Sequence, residues 1–359
     1  MTLELAQVTK VVGRDTHIHT TDLTLEPGTL NVILGPTLAG KTSLLRLMAG
    51  LDRPTTGRIL WNGDDVTTLP AQRRNVAMVY QQFINYPSLS VYDNIASPLR
   101  LQKLDAHAVD RRVRDVAELL KLAPYLERMP SELSGGQQQR CALARALVKR
   151  AGLVLLDEPL ANLDFKLREE LRVEIPTLAS ASGAVFVYAT TEPTEALLLG
   201  GNTAALSEGR VLQFGPALET FRNPVDATVA RVLSDPPMNF VPLAKRGNEL
   251  IFGQRERAQP AGVLARLPDD AYVAGFRANH VRLARPSADA FAFQVRITVT
   301  EVTGSESFIH LQHEDREPWI ALEHGVHQPP TGEAVEVFVD PGHVFVFATD
   351  GTSVTTASG

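Results

Sequence analysis

The sequence predicts a two-domain chain: an α/β domain with a largely parallel, helix-covered sheet over residues 1–235, then a small all-β domain over 236–359. Three observations predict it. Short apolar, β-branched runs alternate with helix-like segments in the first part. A glycine-containing turn of phosphate-binding pattern joins one of those runs to a helix. After the proline-rich stretch SDPPMNFVPL (234–243), read as a linker, helical periodicity fades, and strand-like runs separated by Gly, Pro and Asp turns take over.

In chain order, the clearest strand-like runs of the first part are TLNVILG (29–35), VAMVYQ (76–81), GLVLLDEP (152–159) and AVFVYAT (184–190). Between them lie the helix-like segments KTSLLRLMAGL (41–51) and DAHAVDRRVRDVAELLKLA (105–123). The second of these carries charges of both signs around one apolar stripe, as a helix does with one face packed and the other solvated. In the tail, FAFQVRITVTEV, ESFIHLQ and EAVEVFVD read as strands.

Composition excludes several classes. A chain of 359 residues is long enough for two domains, and its formal charge of -6 offers no basic footprint for nucleic acid. No apolar stretch approaches the roughly 18–20 residues of a membrane span. The start, MTLELAQVTKVVG, lacks the basic and apolar regions of a signal peptide. One cysteine, Cys141, rules out an intrachain disulfide, suits a reducing compartment and reads as a small buried residue on a helix. His310, His313, His324 and His327 read as ordinary strand and loop positions, since no cysteines or dense acids accompany them. Any membrane role is expected to be peripheral, through a partner.

GPTLAGKT (35–42) fits G-x-x-x-x-G-K-[ST] directly after a strand-like run and directly before a helix. Backbone N–H groups across Gly35, Pro36, Thr37, Leu38, Ala39 and Gly40, with the helix start through Ser43, suit the phosphates of a nucleotide. Lys41 suits the β- and γ-phosphates, and the Thr42 hydroxyl suits Mg²⁺. Downstream, LVLLDEP (153–159) ends an apolar strand in two acids. Asp157 suits the Mg²⁺ shell, and Glu158 suits a base that positions water. Between these motifs, LSGGQQQR (133–140) opens a helix with Ser134, Gly135, Gly136 and Gln137, a second N-terminus fit for phosphate. One phosphate loop does not need two cradles, so the second is expected to serve a nucleotide held by another subunit.

Together these words resemble the ATP-binding cassette family. Residues 35–42 match its Walker A, 133–137 its signature, 153–158 its Walker B, and 161–164 (ANLD) its D-loop, with Asp164 closing the last. Gln81 sits at the family's Q-loop glutamine, a further Mg²⁺-shell position. The resemblance covers roughly residues 3–240. The tail words SDPPMNFVPL, YVAGFRANHVRL and TGSESFIHLQ are similar to the linker and OB-like β-domain of carbohydrate-importer ATPases of the maltose type. It implies an ATPase that uses ATP and Mg²⁺ on the cytoplasmic face of a bacterial inner membrane. Two cassettes would close head to tail on two ATP molecules and drive two membrane permease subunits, with a periplasmic binding protein supplying a sugar-like or polyol solute such as glycerol. The loop QQFINYPSL (81–89) would meet the permeases.

Three positions depart from the family. Where it has a histidine that contacts the γ-phosphate, this chain has Thr191 in YATTEPTEA, and none of its nine histidines lies between residues 108 and 279. Where an aromatic stacks on adenine, it has Val12, beside Val11. Where a Walker A glycine is common, it has Leu38, which restricts the backbone beside the phosphates. All three fall on the chain's own half-site, while its signature is intact. That distribution leads to the expectation of an asymmetric pair, in which a second, different ATPase subunit supplies the complete site. A homodimeric sugar or glycerol-3-phosphate importer ATPase and a non-hydrolysing regulatory subunit are the alternatives.

Overall fold

The computed structural model describes residues 1–82, 84–102, 104–161, 163–314 and 317–355. Period-two alternation near the N-terminus builds β1 (Leu3–Val12) and β2 (Asp15–Leu25), an antiparallel pair that turns at Gly13, where φ is 63°. Leu3, Leu5, Val8, Ile18, Leu23 and Leu25 are buried and the residues between them largely face out, as in a half-covered sheet. β3 (Leu30–Leu34) is buried throughout and leads through the phosphate loop into α1 (Lys41–Ala49). Gly50, in the left-handed conformation at φ 73°, ends that helix by donating to the Arg46 and Leu47 carbonyls. β4 (Thr56–Trp61) and β5 (Asp64–Asp65) complete a four-stranded sheet in the order β2-β1-β4-β5.

After β6 (Val76–Val79) come α2 (Val91–Leu101), α3 (Ala106–Leu119) and α4 (Gly135–Leu147). Ser90 and Asp105 cap the first two by accepting from Asp93 N and Ala108 N. Within α3, Val109, Val113 and Ala117 form the expected apolar stripe, four residues apart. Then follow β7 (Leu153–Asp157), α5 (Phe165–Ser182), β8 (Val185–Thr190), α6 (Pro193–Leu199), β9 (Asn202–Ser207) and β10 (Arg210–Pro216). The larger sheet runs β10-β9-β3-β8-β7-β6, parallel except at β10. β7 and β8 are buried at every residue, which fits central parallel strands covered on both faces. The core draws Leu3 and Leu5 from the small sheet, Leu44 and Met48 from α1, and Ile33, Leu155 and Val187 from the large sheet.

The parallel sheet was expected; the separate antiparallel sheet of β1, β2, β4 and β5 was not. The strand order also has a consequence for function. β8 lies between β3 and β7, pairing Leu34 with Thr190 and Asp157 with Ala189. Whatever follows Thr190 is therefore delivered between the phosphate loop and the acid pair, at the carboxyl ends of parallel strands.

Two units are distinguished, Met1–Ala217 and Leu218–Gly359, against the expected boundary at 235–236. α7 (Ala217–Arg222) and α8 (Ala227–Val232) precede the strands of the second. Residues 218–235 go with the β-unit because they are bonded to it. Arg277 donates to the Phe221 carbonyl, Asp226 bridges to Thr352, and Ala230 shares a small core with Met238, Phe345 and Phe347. The proline-rich linker is partly strand, since β11 (Asn239–Arg246) begins within it.

β12 (Glu249–Phe252), β13 (Glu256–Ala258) and β14 (Ala271–Phe276) follow, then β15 (Phe291–Val302), β16 (Glu306–Gln312), β17 (Trp319–His324), β18 (Ala334–Val339), β19 (Phe345–Ala348) and β20 (Ser353–Thr355). They form two antiparallel sheets, β13-β12-β11-β14-β19-β20 and β17-β16-β15-β18, around one core. At its centre Trp319 packs edge-on against Phe276 and Phe293 at 4.9 and 5.2 Å. His313 is fully buried beside it, stacked on Trp319, with Nε2 3.2 Å from Glu256.

Candidate nucleotide site

The phosphate loop holds its shape through residues that only it demands. A Cβ on Gly35 would lie 2.3 Å from the Leu206 carbonyl oxygen, so this position admits glycine alone. Gly40 adopts φ 104° and presses on His17 of β2, whose carbonyl oxygen a Cβ would meet at 3.1 Å. Ala39 N donates to Pro36 O, and Gly209 N donates to Ala39 O at 2.8 Å. Leu38 sits at φ 68° with its side chain 96% exposed. The effect foreseen for this leucine is thus one of backbone strain, since its side chain crowds nothing in the protein.

Lys41, 6% exposed, donates to the carbonyls of Gly35 and Pro36 at 3.0 and 3.1 Å and lies 3.5 Å from a Glu158 oxygen. Burial lowers its pKa, and Glu158 partly restores it. Thr42 Oγ1 donates to Asp157 at 2.8 Å, and Gln81 Nε2 donates to Glu158 at 2.9 Å. Burial raises the Asp157 pKa, the Thr42 hydrogen bond opposing it. Lys41 pairs with Glu158 rather than with Asp157, so the buried Asp157 carboxylate and the Thr42 hydroxyl offer hard oxygen donors for a divalent cation. Glu158 itself, at φ 47°, is turned into the cavity.

Lys41, Thr42, Gln81 and Glu158 open on a cavity of about 710 Å³, whereas Gly35, Pro36, Ala39 and Asp157 are not among its lining residues. From the phosphate loop, Thr37, Leu38 and Gly40 line it, with Lys41, Thr42 and Ser43 of α1; Gln81, Glu158 and Thr191 line it from the strand ends. Of the rim sequence Thr190-Thr191-Glu192, only Thr191 reaches it. Thr190 Oγ1 is taken by Glu195 at 2.6 Å, and Glu192 lies 3.8 and 3.6 Å from Arg168 and Arg172. The cavity's remaining wall escaped the sequence reading: Thr16, His17 and His19 of β2, and the Glu208–Gly209 turn. These residues carry no motif, and only the pairing of the small sheet with the phosphate loop brings them here.

Some expected residues lie elsewhere. Val12, 48% exposed at the end of β1, is not among the lining residues. Ser134, Gly135, Gly136 and Gln137 start α4 away from the cavity. Ser134 and Gln137 bond one another in a capping box, and a Cβ on Gly135 would meet nothing within 4 Å. Asp164 caps α5 by accepting from Leu167 N at 3.0 Å. Asn162 of ANLD and Phe83 of the 81–89 loop lie outside the described residues. Cys141 is buried, with its thiol pushed up to about 11 by that burial.

A phosphate loop and a glutamate on one cavity, with a threonine–aspartate pair of hard oxygen donors, define a nucleotide-hydrolysing cassette. Family models agree: residues 18–161 match "ABC transporter" and 274–347 match "TOBE domain". The chain is 34% identical to the alpha-glucoside transport ATP-binding protein AglK of Rhizobium meliloti, covering 98% of both chains. It is 37% identical to the trehalose/maltose import ATP-binding protein MalK of Thermococcus litoralis, over 86% of this chain and 88% of that one. It is also 37% identical to the sn-glycerol-3-phosphate import ATP-binding protein UgpC of Cupriavidus pinatubonensis, over 86% and 87%. Among solved structures, the dimeric post-hydrolysis state of the cassette MJ0796 bound to ADP and Pi matches with a TM-score of 0.56 and 26% identity, over 60% of this chain and 98% of that one. The chain belongs to the ATP-binding subunits of ABC importers that carry a TOBE domain, enzymes that couple ATP hydrolysis to solute transport. Among the described residues no helix is long and apolar enough to cross a membrane.

Proposed function

We propose that this chain energises uptake of a glycoside or of glycerol 3-phosphate, working as two identical copies bound to two membrane permease subunits, with a solute-binding protein delivering the solute. The observation that carries the reading is a phosphate loop and Glu158 on one cavity, with Asp157 bonded to the cavity-lining Thr42 and the signature on a separate helix start of the same unit. In a head-to-tail pair, Ser134–Gln137 of each copy then faces the cavity of the other. The full-length likeness to α-glucoside, trehalose/maltose and sn-glycerol-3-phosphate proteins supports these solutes over free glycerol. The dimeric cassette among the solved structures supports pairing, and none of the relatives above supports a second, different ATPase.

Within each site, Gly35–Gly40 and Lys41 bind the phosphates, and Glu158, oriented by Gln81, orders the attacking water and takes its proton. Thr42 and Asp157, with Gln81 beside them, would hold Mg²⁺, which would neutralise charge on the phosphates. Thr191 donates one neutral hydrogen bond where a histidine would add charge, so turnover is slow. The chain works at the cytoplasmic face of the inner membrane, held there by its permeases.

The test is to purify the chain with its permeases from its own host, count subunits by native mass spectrometry and assay ATP-driven uptake. Two copies of this chain with uptake of a glycoside or glycerol 3-phosphate support the proposal. A second cassette bearing a histidine at the position of Thr191 would replace the two-copy reading with the asymmetric pair.

A further inference from the structure

The nucleotide cavity has one wall that none of the motifs explains, and it is lined by two imidazoles. His17 and His19 flank Ile18 on β2; Ile18 is fully buried, so strand alternation turns both histidines to the opposite face. Both line the cavity that holds Lys41 and Thr42. Their strand is docked on the phosphate loop rather than merely near it. His19 N donates to Gly209 O at 2.8 Å, Gly209 N donates to Ala39 O at 2.8 Å, and Gly40 packs against the His17 carbonyl. Among the described residues neither imidazole has a hydrogen-bonding or ion-pair partner.

From these placements we infer that His17 and His19 form the purine-binding wall of the site, stacking on the base of the bound nucleotide. With the phosphates on the loop and at the start of α1, the ribose and base extend along the remaining wall, and that wall is β2. Imidazole is a flat π-surface of the kind on which bases stack. Val12 is not among the lining residues, and its aliphatic side chain offers no flat π-surface. The Thr16 hydroxyl, on the same strand and the same cavity, is placed for the ribose. This inference rests on the proposed nucleotide site but deepens it, since it assigns base recognition to residues outside every motif.

The test compares two ligands by calorimetry on the full chain with Mg²⁺: ATP, which has a base, and inorganic tripolyphosphate, which has none. The His17→Ala/His19→Ala double variant is expected to lose about ten-fold or more in ATP affinity while keeping its affinity for tripolyphosphate. Unchanged tripolyphosphate binding also shows that the loop has folded. A His17→Phe/His19→Phe variant, flat but apolar, is expected to keep ATP affinity, and Val12→Tyr added to the alanine pair is expected not to restore it. Equal loss for both ligands, no loss for either, or loss of ATP affinity in the phenylalanine pair overturns the inference. Because turnover is not read, slow or absent hydrolysis would count against the proposed function without touching this result.

Discussion

Lys41 Nζ and Glu158 Oε1 lie 3.5 Å apart, joining the phosphate loop at the end of β3 to the acid pair at the end of β7 across the intervening strand β8. The contact ties phosphate binding to water activation, because one carboxylate faces both the lysine and the Gln81 amide. Glu158→Gln removes the proton acceptor while leaving a group that Gln81 and Lys41 can still touch. ATP hydrolysis is expected to fall about 100-fold or more, with ATP affinity retained. A steady-state phosphate-release assay beside equilibrium binding checks both halves. Loss of binding together with turnover would make Glu158 a structural counterion rather than the base.

Thr191 is the one rim residue that reaches the cavity, and its delivery between loop and acids follows from strand order alone. A histidine there would add a charge-assisted hydrogen bond to the γ-phosphate, worth about 1.5–3 kcal/mol over none. If that difference is made in the transition state, Thr191→His raises kcat about ten-fold with little change in KM. The paired kcat and KM values decide it. An unchanged kcat would show that turnover is limited elsewhere, for instance by site closure.

Leu38 adopts φ 68° with an almost wholly exposed side chain. The left-handed conformation costs a non-glycine residue roughly 1–2 kcal/mol, whereas glycine gives the unfolded chain more freedom, worth up to about 1 kcal/mol. Leu38→Gly is therefore expected to stabilise the cassette by about 0.5–1 kcal/mol, a Tm rise of about 1–4 °C. Differential scanning calorimetry reads it directly, and a fall in Tm would mean that the leucine makes contacts beyond strain.

What could be read from sequence was whatever is contiguous. Gly35–Ser43, Asp157–Glu158 and Ser134–Gln137 are each a run of neighbours, placed at a strand-to-helix turn, a strand end and a helix start respectively. The largely apolar runs at β3, β6, β7 and β8 stand out for the same reason, because burial on both faces leaves few polar interruptions, Asn31 of β3 being one. The residues that escaped are brought in by tertiary pairing. His17 and His19 alternate with Ile18 in a half-buried strand, where a polar side chain reads as a solvated face. Nothing local shows that β2 docks on Gly40 through the Glu208–Gly209 turn. The missing aromatic at position 12 was legible, but the imidazoles a few residues along the same hairpin were not. The two units part at 217–218, ahead of the expected 235–236, for a related reason. Helices such as α7 and α8 read as a continuation of the α/β part, although their hydrogen bonds go to the β-unit.

His280 of the β-unit stacks on His343 at 3.9 Å, with no hydrogen-bond partner for its Nδ1 among the described residues. Burial, then His343, Arg277 and Arg282, lower its pKa to about 4. The folded state therefore favours the neutral ring, while the unfolded chain takes a proton near pH 6.5, the ordinary value. As pH falls from about 6.5 towards 4, the unfolded state binds more protons and stability drops; above about 6.5 the contribution is complete. A gap of about 2.5 units corresponds to something on the order of 3 kcal/mol. Urea unfolding followed at Trp319, in a chain with Trp61→Phe, is expected to show a midpoint that falls steadily below pH 6.5. His280→Phe keeps a ring against His343 but cannot titrate, so its midpoint should fall less steeply over the same range. Parallel slopes for the two chains would place the acid sensitivity of this domain on its carboxylates instead.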